Sequence, residues 1–443
     1  MRLALSYAGL ELEEVVAVEV SQQALRVYTR NFEASSGGGV RGASLVVNRD
    51  ICSLPVAWFE RQRCRIWTMS PPCQPYTRQG SFRDAEDPRA QPLLHIIAVL
   101  REVTIPPQAI VLENVQNFER SESCAKLLEV LRERGYHWRS FLLSPRQFGF
   151  PNARKRFYLV AKQRRWQFAL VPSPGNAAPG AACAQWHCLP CASACAIAAC
   201  DDTPCDDTAN FGIWKDTSMA GAEEPHSICE ECGRNAPPQI LESRSGFGCG
   251  ASCEYPIRPL AEFLDGQGEA PSLPWLVPEA IMQKESARCF DAVRGGCRHS
   301  LCFTKAYGRY VNGTGSVYIM PERVAEPDPA AGDYTMREFF GLLRYFAPRE
   351  VARLLGFKLR PAARACPGDR CLPSCVAHEA STPGVEEPAL MGVGRCRCAA
   401  FDLPEVGADS ARGLWALLGN SLNPQVVALV CRACQLGDLC EGA

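Results

Sequence analysis

Four short apolar runs stand out in the first 165 residues: Val15-Val16-Ala17-Val18, Ile66-Trp67-Thr68-Met69, Ala109-Ile110-Val111-Leu112 and Phe157-Tyr158-Leu159-Val160. Runs of this length, bounded by polar residues or proline, read as buried strands. Between them, Gln22 to Asn31, Leu93 to Val103 and Cys124 to Arg134 suit helices, the last with Ser121 and Ser123 as candidate caps. Residues 1–9 read as a helix end with Gly9 as a plausible C-cap. Strand alternating with helix predicts an α/β fold, a doubly wound, mostly parallel, Rossmann-like sheet.

The pattern then breaks. Residues 171–256 are rich in Cys, Pro and Gly with little periodicity, and 361–400 form a second irregular stretch. Phe339 to Tyr345 and Pro348 to Leu355 suggest two short helices, the second with proline at its first position and Gly356 beyond its end. Pro424 to Gln435 predicts an amphipathic helix capped by Asn423.

Composition adds three constraints. The formal net charge of −1 gives no global attraction to nucleic acid, so any RNA site must be a local patch. Arg78, Arg83 and Arg89 form one candidate, and Arg154, Lys155 and Arg156 another. No run of eighteen apolar residues appears, so no membrane-crossing helix is expected. Of the 25 cysteines, ten crowd into residues 183–253. Cys188 with Cys191 and Cys229 with Cys232 have the gap that brings two sulfurs to one zinc, and His187, Cys249 or Cys253 could join them. The remaining cysteines are irregularly spaced, so no metal is expected. A long chain that relies on a reactive thiol suits a reducing compartment, the cytoplasm first and the nucleus second.

The strand ends carry the chemistry. Open α/β sheets bind ligands at the carboxyl ends of their strands. Pro71-Pro72-Cys73-Gln74 puts a thiol there in a loop whose prolines fix φ and remove backbone donors. Glu113, after the third apolar run, could face that thiol from a neighbouring parallel strand, and Glu19 ends the first run.

Pro71-Pro72-Cys73-Gln74, Glu113-Asn114-Val115, Asn152-Ala153-Arg154-Lys155-Arg156 and Gly419-Asn420-Ser421-Leu422-Asn423-Pro424, in this order, resemble the cytosine-5 methyltransferases. The segment Leu301-Cys302-Phe303-Thr304-Lys305-Ala306-Tyr307-Gly308-Arg309-Tyr310, running on to Gly313-Thr314-Gly315, looks like the signature of the branch that methylates cytosine 38 in the anticodon loop of aspartate tRNA. The resemblance covers residues 1–165 and 285–435 and implies S-adenosyl-L-methionine as cofactor, tRNA as partner with DNA weaker, and a monomer.

It implies Cys73 as nucleophile, Glu113 as the group at ring nitrogen 3, and Arg154 and Arg156 on the base. Glu19, Asp50, Ile51, Ser70, Pro71, Asn420 and Ser421 would meet the cofactor, and Arg78, Cys302 and Thr304 the substrate. It divides the chain into a catalytic domain, 1–165, a target-recognition domain, 166–340, and a returning segment, 341–443. Met1-Arg2-Leu3-Ala4-Leu5 matches the helix that follows the family's first strand and Gly-rich turn. Upstream codons are expected to encode that strand. Two rivals stay open: a DNA cytosine-5 methyltransferase, and an RNA-binding protein impaired in catalysis for want of the cofactor turn.

Overall fold

The computed structural model describes residues 1–32, 43–77, 83–163, 213–214, 257–265, 275–320, 339–359, 401–404 and 408–437. In chain order the first part runs α1 (Arg2–Tyr7), β1 (Glu14–Val18), α2 (Gln22–Phe32), β2 (Ala43–Val47), α3 (Val56–Gln62), β3 (Ile66–Met69), α4 (Gln91–Glu102), β4 (Ala109–Val115), α5 (Glu122–Glu133), β5 (Tyr136–Leu143) and β6 (Arg156–Gln163). There follow β7 (Ile213–Trp214), α6 (Glu279–Met282), β8 (Asp291–Val293), β9 (Ser316–Ile319), β10 (Leu343–Tyr345), α7 (Pro348–Leu354), α8 (Ala408–Gly419) and α9 (Pro424–Ala433).

The main sheet has the order β3-β4-β6-β5-β7, with β3 parallel to β4 and β6 antiparallel to both β4 and β5. Its side chains alternate as a strand buried on both faces requires. Ala109, Val111, Tyr158 and Val160 face one core, which takes in Ala4 and Leu5 of α1 and Val427 and Val430 of α9. Ile110, Leu112, Phe157 and Leu159 face the other, against Leu93 and Ile97 of α4 and Leu127 and Leu131 of α5. Helices on both faces make three layers. The fold is α/β with mixed sheets; in the main sheet β3, β4, β5 and β7 run one way and β6 alone runs against them.

β1 and β2 form a separate parallel pair. Among the described residues β1 pairs with β2 alone and β3 with β4 alone, so each keeps one edge without a strand neighbour. The two edges are near at their start: burial first, then the Glu14 carboxylate, push the Cys64 thiol up.

A third sheet, β10-β9-β8, belongs to the first core. Here the reading of Phe339 to Tyr345 as a helix is corrected. Leu343–Tyr345 pairs antiparallel with Val317 to Ile319, and its three residues are buried. Spacing could not distinguish a short buried strand from a turn of helix.

The last helix returns to the first. Ala428 packs with Leu3 and Tyr7, Arg432 Nε donates to Ala8 O at 3.2 Å, and Lys162 Nζ donates to Cys434 O at 3.0 Å. Residues 411–433 are apolar enough to span a bilayer by composition, but Asn420 to Asn423 break the helix and 61% of the window is buried in the protein. It is a core element here.

Candidate active site

β3 ends at Met69, which pairs with Leu112 of β4. The next residues in register are therefore Ser70 and Glu113, and Cys73 opens the loop beyond them. Cys73 is half-buried, and its carbonyl accepts from Tyr76 N at 3.0 Å to close a turn over Gln74–Tyr76. Glu113 lies inside β4, not past its end, and is only 7% exposed. Burial pushes its carboxyl up. Arg156, Arg154, the Ser70 hydroxyl and the Met1 α-amino group pull the other way without prevailing.

Arg156 starts β6 and reaches Glu113, with Nε 3.5 Å from Oε1. Its Nη1 donates to Lys155 O at 2.8 Å and its Nη2 to Cys302 Sγ at 3.8 Å. The Cys302 thiol also accepts from Arg154 Nη1 at 3.4 Å. Burial alone would push this thiol up, but the two guanidinium groups outweigh it and hold the thiol below the ordinary range. A thiol in such surroundings tends to the thiolate.

Arg154 ties distant parts of the chain together. It is buried, and its guanidinium donates to Phe303 O at 3.1 Å, to Gly419 O at 3.0 Å and to Ser421 O. With Cys302 it thus joins three separate chain segments. Asn152 works beside it, donating to Ser300 Oγ at 3.2 Å and Leu301 O at 3.0 Å. Sequence reading missed this junction because its partners lie 148 or more residues apart and share no motif.

The proposed cofactor residues separate into two groups. Glu19 follows β1 and Asp50 follows β2, so both carboxylates stand at the carboxyl edge. Each spends an oxygen on a backbone donor, Ser21 N at 2.7 Å and Cys52 N at 2.9 Å, and keeps acceptor capacity for hydroxyl or amine donors. Ile51 begins the short turn that Asp50 caps. Two such carboxylates at one edge suit a ligand that carries hydroxyl or amine donors. Ser70 hydrogen-bonds Glu113, so its hydroxyl serves the carboxyl. Pro71 follows it in the loop. Asn420 is exposed, while Ser421 is tied to Leu418 O at 2.7 Å and to Arg154.

On the substrate side, Thr304 shapes its own loop: its N donates to Thr314 O at 3.0 Å and its O accepts from Tyr307 N. Tyr307 is buried and its hydroxyl donates to Ser316 O at 2.6 Å, which leaves Lys305, Arg309 and Tyr310 on the surface. Arg89 is committed to Asp87 through a fork of 2.9 and 2.6 Å, and these bonds hold the Asp87 carboxyl down at about 2. Arg83 and Lys155 are described but Arg78 lies outside the described residues. So do Cys188, Cys191, Cys229, Cys232 and the other candidate zinc ligands; no metal-holding cluster is found among the described residues.

Three layers of α/β structure, with a thiol, a buried carboxyl and an arginine gathered at one strand edge, define a methyltransferase fold. The solved structure of the Schizosaccharomyces pombe Dnmt2 methyltransferase shares it, with a TM-score of 0.58 at 23% identity over 100% of this chain and 96% of that one. Residues 1–180 match the model of the C-5 cytosine-specific DNA methylases. A Bos taurus tRNA (cytosine(38)-C(5))-methyltransferase is 30% identical over 81% of this chain and 87% of its own length. The Schizosaccharomyces pombe protein of that name is 27% identical over 81% and 82%. This chain belongs to the cytosine-5 methyltransferase family.

Proposed function

We propose that this protein transfers a methyl group from S-adenosylmethionine to carbon 5 of a cytosine in tRNA, cytosine 38 of aspartate tRNA being the expected target. The observation that carries the reading is the chain of contacts Cys302–Arg156–Glu113 at the carboxyl end of β4, with the Cys73 loop following the paired strand β3. The tRNA relatives, matched over four-fifths of the chain, favour RNA over DNA. In this reading β1–β2 and the larger sheet are arms of one doubly wound sheet. Residues 1–165 form the catalytic domain, 166–340 the target-recognition domain and 341–443 the returning segment.

The ring carbons of cytosine are poor nucleophiles until aromaticity is broken. Cys73 as thiolate adds to carbon 6, forming the S–C6 bond and moving the C5–C6 electron pair toward carbon 5. Glu113 gives its proton to nitrogen 3, which keeps the ring from accumulating charge. S-adenosylmethionine, when bound, supplies a methyl group activated by its sulfonium. Once carbon 5 carries the methyl group, its own proton passes to solvent water, the C5–H electron pair re-forms the C5–C6 double bond, and the S–C6 bond breaks. Glu113 then recovers its proton from nitrogen 3 and Cys73 leaves as thiolate. Arg156 stands where it can hold the base oxygen. A base in an anticodon loop is already unpaired, so bringing it to this pocket costs less than flipping one from a duplex.

Bisulfite sequencing of total tRNA after incubation with protein and cofactor tests the proposal. Protection of a single anticodon-loop cytosine is expected. Methylation of duplex DNA with tRNA untouched would overturn it.

A further inference from the structure

Arg156 and Glu113 do not make the contact that such a pair forms when left to itself. A guanidinium and a carboxylate close a two-bond fork when geometry allows. Arg344 and Glu350 do so in this same chain, at 2.7 and 2.8 Å. Arg156 instead comes no nearer to Glu113 than 3.5 Å, at Nε, and closes no such fork. Its other edge is taken by Cys302 Sγ, which Arg154 fixes from the far side at 3.4 Å. Cys302 cannot drift, because Phe303 O, Gly419 O and Ser421 O hold Arg154 in turn.

We propose that Cys302 is a positioning residue that holds Arg156 off Glu113, so that the carboxyl keeps its proton for the ring nitrogen of a bound cytosine. This rests on the methyl-transfer reading of the site. The physical argument is a competition. A sulfur that two guanidinium groups hold below the ordinary thiol range offers Arg156 a second acceptor and shares out its charge. Remove that acceptor and the guanidinium can swing and close a fork on the carboxylate. The forked form stabilises ionised Glu113, and the proton is lost sooner.

The groups facing Glu113 set the background against which this acts. Arg156 and Arg154 come from β6 and the turn before it, and Ser70 from the end of β3. The α-amino group of Met1 comes from the start of α1, and Tyr158 lies directly across from Glu113 in the sheet. The Tyr158 phenol is itself driven up by burial and then by Glu113, so it stays neutral. Besides Glu113, Arg156 has Cys302 Sγ and the Lys155 carbonyl as acceptors, and of these two only Cys302 is a side chain.

The test compares wild type with Cys302→Ala, Cys302→Ser and Cys302→Asp. Two readouts are taken: the pH profile of single-turnover methyl transfer to tRNA, and the infrared stretch of the protonated Glu113 carboxyl, assigned by its loss in Glu113→Gln. The second needs no activity. In Cys302→Ala and Cys302→Ser, the alkaline loss of rate and of the carboxyl band should both move down by about one pH unit, the size expected for a changed charge partner. Cys302→Asp, which restores an anionic acceptor, should keep both near wild type. A packing role predicts another order, with Ser harmless and Asp worst. An unmoved carboxyl band in both Ala and Ser variants overturns the proposal. So does a loss confined to tRNA affinity, which would make Cys302 a substrate contact. If wild type forms no covalent adduct with RNA carrying 5-fluorocytosine, the methyl-transfer reading fails, while the infrared band still reports on Cys302.

Discussion

Gly419 lies so close to Lys305 that a Cβ on it would stand 2.2 Å from the Lys305 backbone nitrogen and equally close to the Thr304 carbonyl carbon. Backbone cannot yield as a side chain can. Gly419 thus lets the end of α8 press against the 301–310 segment, and the carbonyl it presents there holds Arg154. Gly419→Ala should push the two segments apart and cost about 1–3 kcal/mol, the usual range for overpacking. Gly413, earlier in the same helix, is a control. Its Cβ would meet only the flexible end of Gln23, so Gly413→Ala should cost nothing or gain up to about 1 kcal/mol from helix propensity. Urea unfolding of both variants decides; equal effects would mean that the close approach does not matter.

Arg154 should behave as a structural hub. Truncation to Ala removes donors from Phe303 O, Gly419 O and Ser421 O at once, and leaves buried acceptors unpaired. A loss of roughly 3–5 kcal/mol is expected, as for breaking a buried charged contact. Lys cannot reproduce a planar fork aimed at several acceptors, so Arg154→Lys should recover little of it. The check is again equilibrium unfolding. An Arg154→Ala variant of wild-type stability but without methyl transfer would return Arg154 to the role of a base contact.

These two residues mark how far the sequence could be read. β3 and its Pro-Pro-Cys loop were legible because an apolar run, prolines and a thiol lie consecutively. β4 was legible for the same reason, and Ser121 as cap of α5 follows from local chemistry, its hydroxyl accepting from Cys124 N. Asn423 likewise caps α9 through Gln425 N and Val426 N. What remained hidden was long-range. No local pattern says that Arg154 meets Ser421, that Ser70 turns to Glu113, or that Arg344 and Glu350 close a buried fork. Nor does spacing reveal that Leu343–Tyr345 is a strand, since its partner β9 lies far upstream.

The 301–315 loop should contact RNA through the side chains it leaves outside. Tyr307 anchors it internally, and the Tyr310 ring is 65% exposed beside Arg309. An aromatic ring next to a cation is a stacking platform for an unpaired base. Tyr310→Ala should weaken tRNA binding by about 1–3 kcal/mol, with Tyr310→Phe close to wild type. Arg309→Ala should also reduce the salt dependence of binding, by roughly 0.7 in log–log slope for one single-strand phosphate contact. Filter binding over a salt series measures both. Unchanged affinity in Tyr310→Ala would remove this loop from the RNA interface.

Glu113 should leave a signature in stability as well as in rate. Its carboxyl is raised in the folded protein, with burial the main cause. The folded state therefore binds this proton over a pH range in which the unfolded chain has released it. By linkage, the stabilising contribution is full below the unfolded carboxyl range, near pH 4, and is lost as pH rises through the folded value. Above that value the fold carries a buried carboxylate that Arg156, 3.5 Å away at its nearest, only partly compensates. Glu113→Gln keeps the shape and removes the titration. Its melting temperature should thus depend less on pH than that of wild type, and the gap should move in favour of the variant as pH rises from 5 to 9. Methyl transfer should fall by roughly 100-fold or more, because the neutral amide has no proton to give nitrogen 3. A variant that loses stability relative to wild type as pH rises would show that ionised Glu113 is the favoured native form, and would make it a structural anion for Arg156.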